Sequence, residues 1–206
     1  EDDTGAALTQ SPAIIEWLDE TCPEPARLPG GALARARVRA FALALACAPQ
    51  VHADTARALV SVESAFNPWA IGVVGGALVR QPRHRAEALA TAKALQAAGW
   101  NFSVGLGQIN VGNFDRLGLT IESAFEPCGN LAAMQTVLAE CFDRASRSAV
   151  KAVDQAALRQ ALSCYYSGNF ATGFRHGYVR KVVAAAGTSS LVASRAIPPA
   201  QPKEKT

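Results

Sequence analysis

Proline and glycine cut this chain into alanine-rich stretches of helical period, and that alternation constrains its fold more than any other feature. Pro49 ends residues 32–47, and Asn67-Pro68 stops the next stretch, because the residue before a proline disfavours the helical region. Gly99 closes residues 85–98, and Ser167-Gly168-Asn169 closes a stretch that starts near Asp154. Within the stretches apolar residues return to one face: Leu59, Val62 and Phe66; Leu131, Met134, Leu138, Cys141 and Phe142; Leu158, Leu162 and Tyr165. Half of the chain's 206 residues are hydrophobic, and alanine, the strongest helix former, supplies much of that share. The pattern predicts a mainly α domain, with Asp54 and Asn130 as helix N-caps and a last helix over residues 178–186 stopped by Gly187. Residues 121–125 read as one helical turn or two, and residues 100–107 as loop or strand. Two short apolar runs, residues 71–74 and 77–80, flank Gly75-Gly76 and predict a small β-hairpin.

Charge and cysteine usage narrow the partners. A net charge of +3 is too weak to argue for nucleic acid, though it suits an anionic polymer such as a cell wall. Arg35, Arg37 and Arg39 recur at spacing two, which scatters them around a helix as a solvated face. No run approaches the ~20 apolar residues of a transmembrane segment. The acidic Glu1-Asp2-Asp3 opening does not read as a secretory signal. His52, His84 and His176 lie far apart, and no Cys-x-x-Cys pair exists, so neither a metal site nor a cofactor is expected. The odd set Cys22, Cys47, Cys128, Cys141 and Cys164 allows two disulfides and a leftover thiol in an oxidising compartment.

One carboxyl carries the chemical argument. Glu63 follows Val62 and lies four residues after Leu59, at the rim of an apolar stripe. A carboxyl there loses hydration when charged, its pKa rises, and it becomes able to act as a general acid near neutral pH. Taken alone, Glu63 reads as an ordinary exposed helix glutamate.

Its context is an ordered set of motifs. Glu63-Ser64 precedes Phe66-Asn67-Pro68, then Gly105-Leu106-Gly107-Gln108-Ile109-Asn110, then Asn130-Leu131, then Tyr165-Tyr166-Ser167-Gly168-Asn169. Over residues 47–187 the set resembles the soluble lytic transglycosylases, relatives of goose-type lysozyme, and within them the VirB-type enzymes of type IV secretion systems. Residues 71–80, Gly99-Trp100-Asn101-Phe102 and the run from Cys164 to Phe170 resemble that subgroup. The resemblance implies a lysozyme-like fold and cleavage of peptidoglycan glycan strands, with Glu63 as the single acid/base. It further implies Ser64, Gly105, Gln108, Asn110, Tyr165 and Tyr166 as substrate-binding or orienting residues, a periplasmic location, and secretion-system components as partners. Gly107 stands where the wider family usually has Met, and Tyr166 where it usually has Asn. No motif places a second carboxylate; Asp115 and Glu122 read as surface residues. Gln108, Asn110 and Tyr165 each have an alternative reading, as side chains that satisfy local backbone. The periplasmic reading allows Cys141–Cys164 and Cys47–Cys128 as bridges, or four free buried thiols.

The first residues point elsewhere. Ser11-Pro12 opens a short helix to about Glu20, and Pro23, Pro25, Pro29 and Gly30-Gly31 form a linker. Residues 8–46 resemble the end of the thioredoxin-like domain, the linker and the first helix of zeta-class glutathione transferases (maleylacetoacetate isomerase). The expected organisation is therefore a fusion: a helical segment over residues 1–46, the catalytic domain over 47–187, and a flexible tail over 188–206. Two rival readings stay open, a glutathione transferase-like fragment and a non-catalytic glycan-binding or assembly protein.

Overall fold

A computed structural model describes residues 31–148 and 154–194. The helix expected near Ser11, the linker before Gly31, Cys22 and the last twelve residues lie outside them. Helix α1 (Ala32–Ala44) runs into a short 3₁₀ turn, Leu45–Cys47. Helix α2 (Ala53–Ser64) follows, then strand β1 (Ile71–Val73), α3 (Arg85–Ala97), β2 (Phe102–Val104) and β3 (Ile109–Asn110). Two single turns, α4 (Phe114–Leu117) and α5 (Ile121–Ala124), lead to the long α6 (Pro127–Ser148). Then come α7 (Asp154–Ser167), the turn α8 (Thr172–Arg175) and α9 (Tyr178–Ser194). The fold is mainly α with one small antiparallel sheet, the lysozyme-like class expected. Among the described residues no helix is long and apolar enough to cross a membrane.

Several local expectations are corrected. Asp54 lies inside α2; the cap is His52, whose Nδ1 accepts from the Asp54 N–H. Asn130 does not cap α6 but sits in its first turn, fully buried. Helix α9 runs through Gly187 to Ser194, so residues 188–194 are helical. A single glycine costs a helix only about 1 kcal/mol, which its alanine-rich flanks absorb.

The Gly75-Gly76 hairpin does not form. Strand β1 pairs with β2 instead, with Ile71 opposite Val104 and Val73 opposite Phe102, and β2 pairs onward with β3. The reason lies on the other edge of β1. There the Gln81 carboxamide accepts from the Ile71 N–H at 2.8 Å and donates to the Ile71 carbonyl at 2.8 Å. That side chain occupies both backbone groups that a strand over residues 77–80 would need.

The core gathers Leu59 and Val60 of α2, Phe102 and Val104 of β2, Leu131 and Met134 of α6, and Val182 of α9, all fully buried. It also crosses the seam expected between residues 46 and 47. Phe41 and Ala44 of α1 are buried in it, and Phe41 meets Phe66 edge-on with ring centroids 5.3 Å apart. Two disulfides hold the helices: Cys47–Cys128 ties the 3₁₀ turn to the start of α6, and Cys141–Cys164 ties α6 to α7. They close stretches of 81 and 23 residues, and each should contribute about 3–4 kcal/mol by restricting the unfolded chain. Five cysteines less the four in bridges leave Cys22. The unreduced, denatured protein should therefore titrate one thiol per chain; three or five would mean that bridges are missing.

Candidate active site

Helix geometry puts Glu63 where the sequence placed it. Ala56, Leu59 and Val60 form the buried face of α2, and Glu63 lies one turn beyond them. The helix ends at once: Ala65 (φ 50°) and Phe66 (φ 60°) are both left-handed, each costing about 1 kcal/mol or more for a residue with a side chain. Packing of Phe66 on Phe41 and an Asx turn, in which Asn67 Oδ1 accepts from the Trp69 N–H at 3.2 Å, hold this turn. Such strain clusters where a functional group must be aimed.

Glu63 opens into a cleft of about 630 Å³. Gly72 to Val74 and Ser103 of the sheet line it, with Gln108, Asn110, Tyr165 and Tyr166. Glu63 is the only carboxylate among the described residues that line it. Burial pushes the Glu63 pKa up to about 7, against the lowering effect of a hydrogen bond from the Tyr178 hydroxyl to Glu63 Oε1. Burial first, then the neighbouring Glu63, hold the Tyr178 phenol well above its usual range, so it stays a donor. Asp115 and Glu122 line a separate depression, where Glu122 pairs with Lys93 at 2.6 Å.

The turn between β2 and β3 forms the cleft floor, and Asn130 holds it from beneath. Its Oδ1 accepts from the Gly107 N–H at 2.7 Å, and its Nδ2 donates to the carbonyls of Val104 (3.0 Å) and Ala124 (2.8 Å). Gly105, at φ 79°, lies so close to this amide that a Cβ there would sit 2.3 Å from Asn130 Nδ2. Gly107 packs against Met134 of α6: a Cβ at 107 would lie 3.0 Å from the Met134 Cβ and 3.1 Å from the Tyr165 hydroxyl. Little room is therefore left for a side chain at position 107.

The residues expected at the site divide into two groups. Glu63, Gln108, Asn110, Tyr165 and Tyr166 come together in the cleft. Several of these are already bonded to the protein. Gln108 Nε2 donates to the carbonyls of Ala70 (3.1 Å) and Gly105 (2.9 Å), with its own backbone at φ 50°. Asn110 bonds Asn101 and Ser103 and accepts from the Gly112 N–H. The Tyr165 hydroxyl donates to the Gly107 carbonyl. Ser64 and Gly105 do not line the cleft: Ser64 Oγ donates back to the Val60 carbonyl at 3.1 Å, and Gly105 acts through backbone shape. Sequence reasoning missed Tyr178 as a partner of Glu63. The signal was a tyrosine on the same face as Val179 and Val182, since a buried tyrosine hydroxyl needs a partner.

Family comparison agrees with this geometry. The transglycosylase SLT domain model matches residues 41–184, and the chain belongs to that family. It is similar to the type IV secretion system protein virB1 of Brucella abortus, 49% identical over 153 residues, 72% of this chain and 64% of that protein. The protein virB1 of Agrobacterium fabrum is 37% identical over 177 residues, 85% of this chain and 68% of its own length. The chain thus spans slightly less than two thirds of the Brucella relative. A maleylpyruvate isomerase from Ralstonia sp is 45% identical over 76 residues, 32% of this chain and 35% of that protein. No solved structure matches.

Proposed function

We propose that the chain is a peptidoglycan lytic transglycosylase, cutting the β-1,4 bond between N-acetylmuramic acid and N-acetylglucosamine for a type IV secretion apparatus. The observation that carries this reading is a desolvated carboxyl, the only one among the described residues that line the cleft. Glycosidases ordinarily flank the bond with two carboxylates; with one, the substrate must supply the nucleophile. Protonated Glu63 gives its proton to the glycosidic oxygen as the C1–O bond breaks. The C6 hydroxyl of the muramic residue then bonds to C1, and the Glu63 carboxylate takes its proton. The acid is regenerated, no water is consumed, and the step needs no metal or cofactor. Gln108, Asn110, Tyr165 and Tyr166 line the cleft that takes the glycan strand, and Ser64 and Gly105 support it from outside its lining. The catalytic domain is residues 47–187 with α1 built onto it, carrying a further segment before and a tail after. The two disulfides suit an oxidising periplasm.

Digestion of purified cell wall should release muropeptides with 1,6-anhydro ends, each lighter by one water than a hydrolysis product. Reducing N-acetylmuramic ends as the main product would overturn the reading. Because Glu63 must start protonated and its pKa lies at about 7, the rate should fall as pH rises through that value, roughly tenfold per unit beyond it. A rate flat to pH 9 would remove Glu63 as the acid.

A further inference from the structure

Four side chains form a continuous row from the catalytic carboxyl to the surface. The Tyr178 hydroxyl donates to Glu63. The Tyr166 ring stacks on the Tyr178 ring, with centroids 4.5 Å apart and planes 19° apart. The Tyr166 hydroxyl lies 3.3 Å from His176 Nδ1, and those two rings meet edge-on at 5.9 Å. The members come from α2, α9, the end of α7 and the residue that follows α8. Tyr178 is 6% exposed while Tyr166 is 45% exposed, so the outer ring forms the groove-side wall of the inner one.

This arrangement gives Tyr166 a purpose that an asparagine could not serve. A half-exposed aromatic ring gains little from burial and would rotate away unless held. Tyr178 grips its face, and His176 grips its hydroxyl. We infer that Tyr166 and His176 are positioning residues for the glycan-cleaving step: they hold the Tyr178 ring so that its hydroxyl stays on Glu63. The inference rests on the lytic reading and adds two residues to it. Tyr166 then acts through Tyr178 rather than through a sugar.

The ionisable groups that face Glu63 are the phenols of Tyr165 and Tyr178; Tyr166 and His176 stand behind Tyr178. The hydrogen bond from Tyr178 restrains the rise of the Glu63 pKa, so loosening it should move the alkaline limb of the rate profile upward while making the proton transfer less well aimed.

The test measures kcat, KM and the pH profile on soluble, peptide-stripped glycan strands. Tyr166→Asn should lower kcat roughly tenfold, leave KM within about twofold and shift the alkaline limb upward. Tyr178→Phe should do the same, and adding Tyr166→Asn to it should cause almost no further change, because the two act in series. His176→Ala should follow in the same direction, and His176→Gln, which keeps a partner for the hydroxyl, should restore most of the rate. Circular dichroism melts verify that each variant is folded. A raised KM with unmoved kcat and unmoved limb would make Tyr166 a sugar contact only, and fully additive losses would break the series; either result overturns the inference. Failure of the lytic reading would show separately, in wild-type protein that yields no anhydro products.

Discussion

Glu63→Gln should stop glycan cleavage and at the same time make the protein harder to unfold. The amide is isosteric, and its oxygen still accepts the Tyr178 bond, but it has no proton to deliver; the expected loss is ~10²–10⁴-fold or more. The gain in stability follows from linkage. In the folded protein Glu63 holds its proton up to about pH 7; unfolded, it releases it near the ordinary glutamate value of 4.5. Below 4.5 both states are protonated and Glu63 costs nothing. Between 4.5 and about 7 the unfolded state gains by ionising, so stability falls with rising pH, and above 7 the penalty is complete. Removing the carboxyl removes the penalty, a gain of up to about 3 kcal/mol. Thermal melts of both proteins should coincide at pH 4 and separate above pH 7, the variant higher. Turbidity assays on cell wall give the activity arm. An inactive variant that melts lower at pH 8 would contradict a desolvated Glu63, and an active one would end the catalytic assignment.

Gly105→Ala should be the most damaging small substitution in the cleft floor. The left-handed backbone (φ 79°) disfavours any side chain, and the added carbon would lie 2.3 Å from Asn130 Nδ2 and 2.9 Å from the Ala124 carbonyl. Neither neighbour is free to yield, because Asn130 is bonded to three parts of the structure. The loss should be about 3–5 kcal/mol, enough to leave little folded protein at 37 °C. Gly118→Ala is the control. It has a similar backbone (φ 63°) with nothing within 4 Å of the added carbon, so only conformational strain remains, about 1 kcal/mol. Urea titration of both variants compares crowding with strain. Equal losses would mean that the Asn130 scaffold yields.

What could be read in the sequence follows the range of the interactions. Helix periods and their proline and glycine stops are local, so α2, α3, α6 and α7 stand close to where periodicity placed them. Glu63 was legible because its neighbours at i−4 and i−3, Leu59 and Val60, fix which way the helix faces. The pairing of β1 was not, because a side chain ten residues away, Gln81, imitates a strand. Tyr178 lies 115 residues from the carboxyl it touches, and only α9 packing on α2 joins them. Asn130 carries the residue type of a cap and performs a different task, since Gly105 and Gly107 bring backbone within reach of it. The expected seam at 46–47 came from two likenesses meeting there. Phe41 ignores that border because the burial of an apolar ring depends on its neighbours in space.

Gly107 fixes how closely the turn between β2 and β3 approaches α6. Any side chain at position 107 would put its first carbon 3.0 Å from the Met134 Cβ and 3.1 Å from the Tyr165 hydroxyl. Shortening Met134 would open a void in the core beside Tyr165, at about 2–5 kcal/mol. That void would not make room at position 107, because the nearest atom, 3.0 Å away, is the Met134 Cβ that any shorter side chain except glycine keeps, and the Tyr165 hydroxyl stays at 3.1 Å. A graft of this turn onto another scaffold must therefore reproduce the clearance between its backbone and the facing helix, whatever side chain stands at 134.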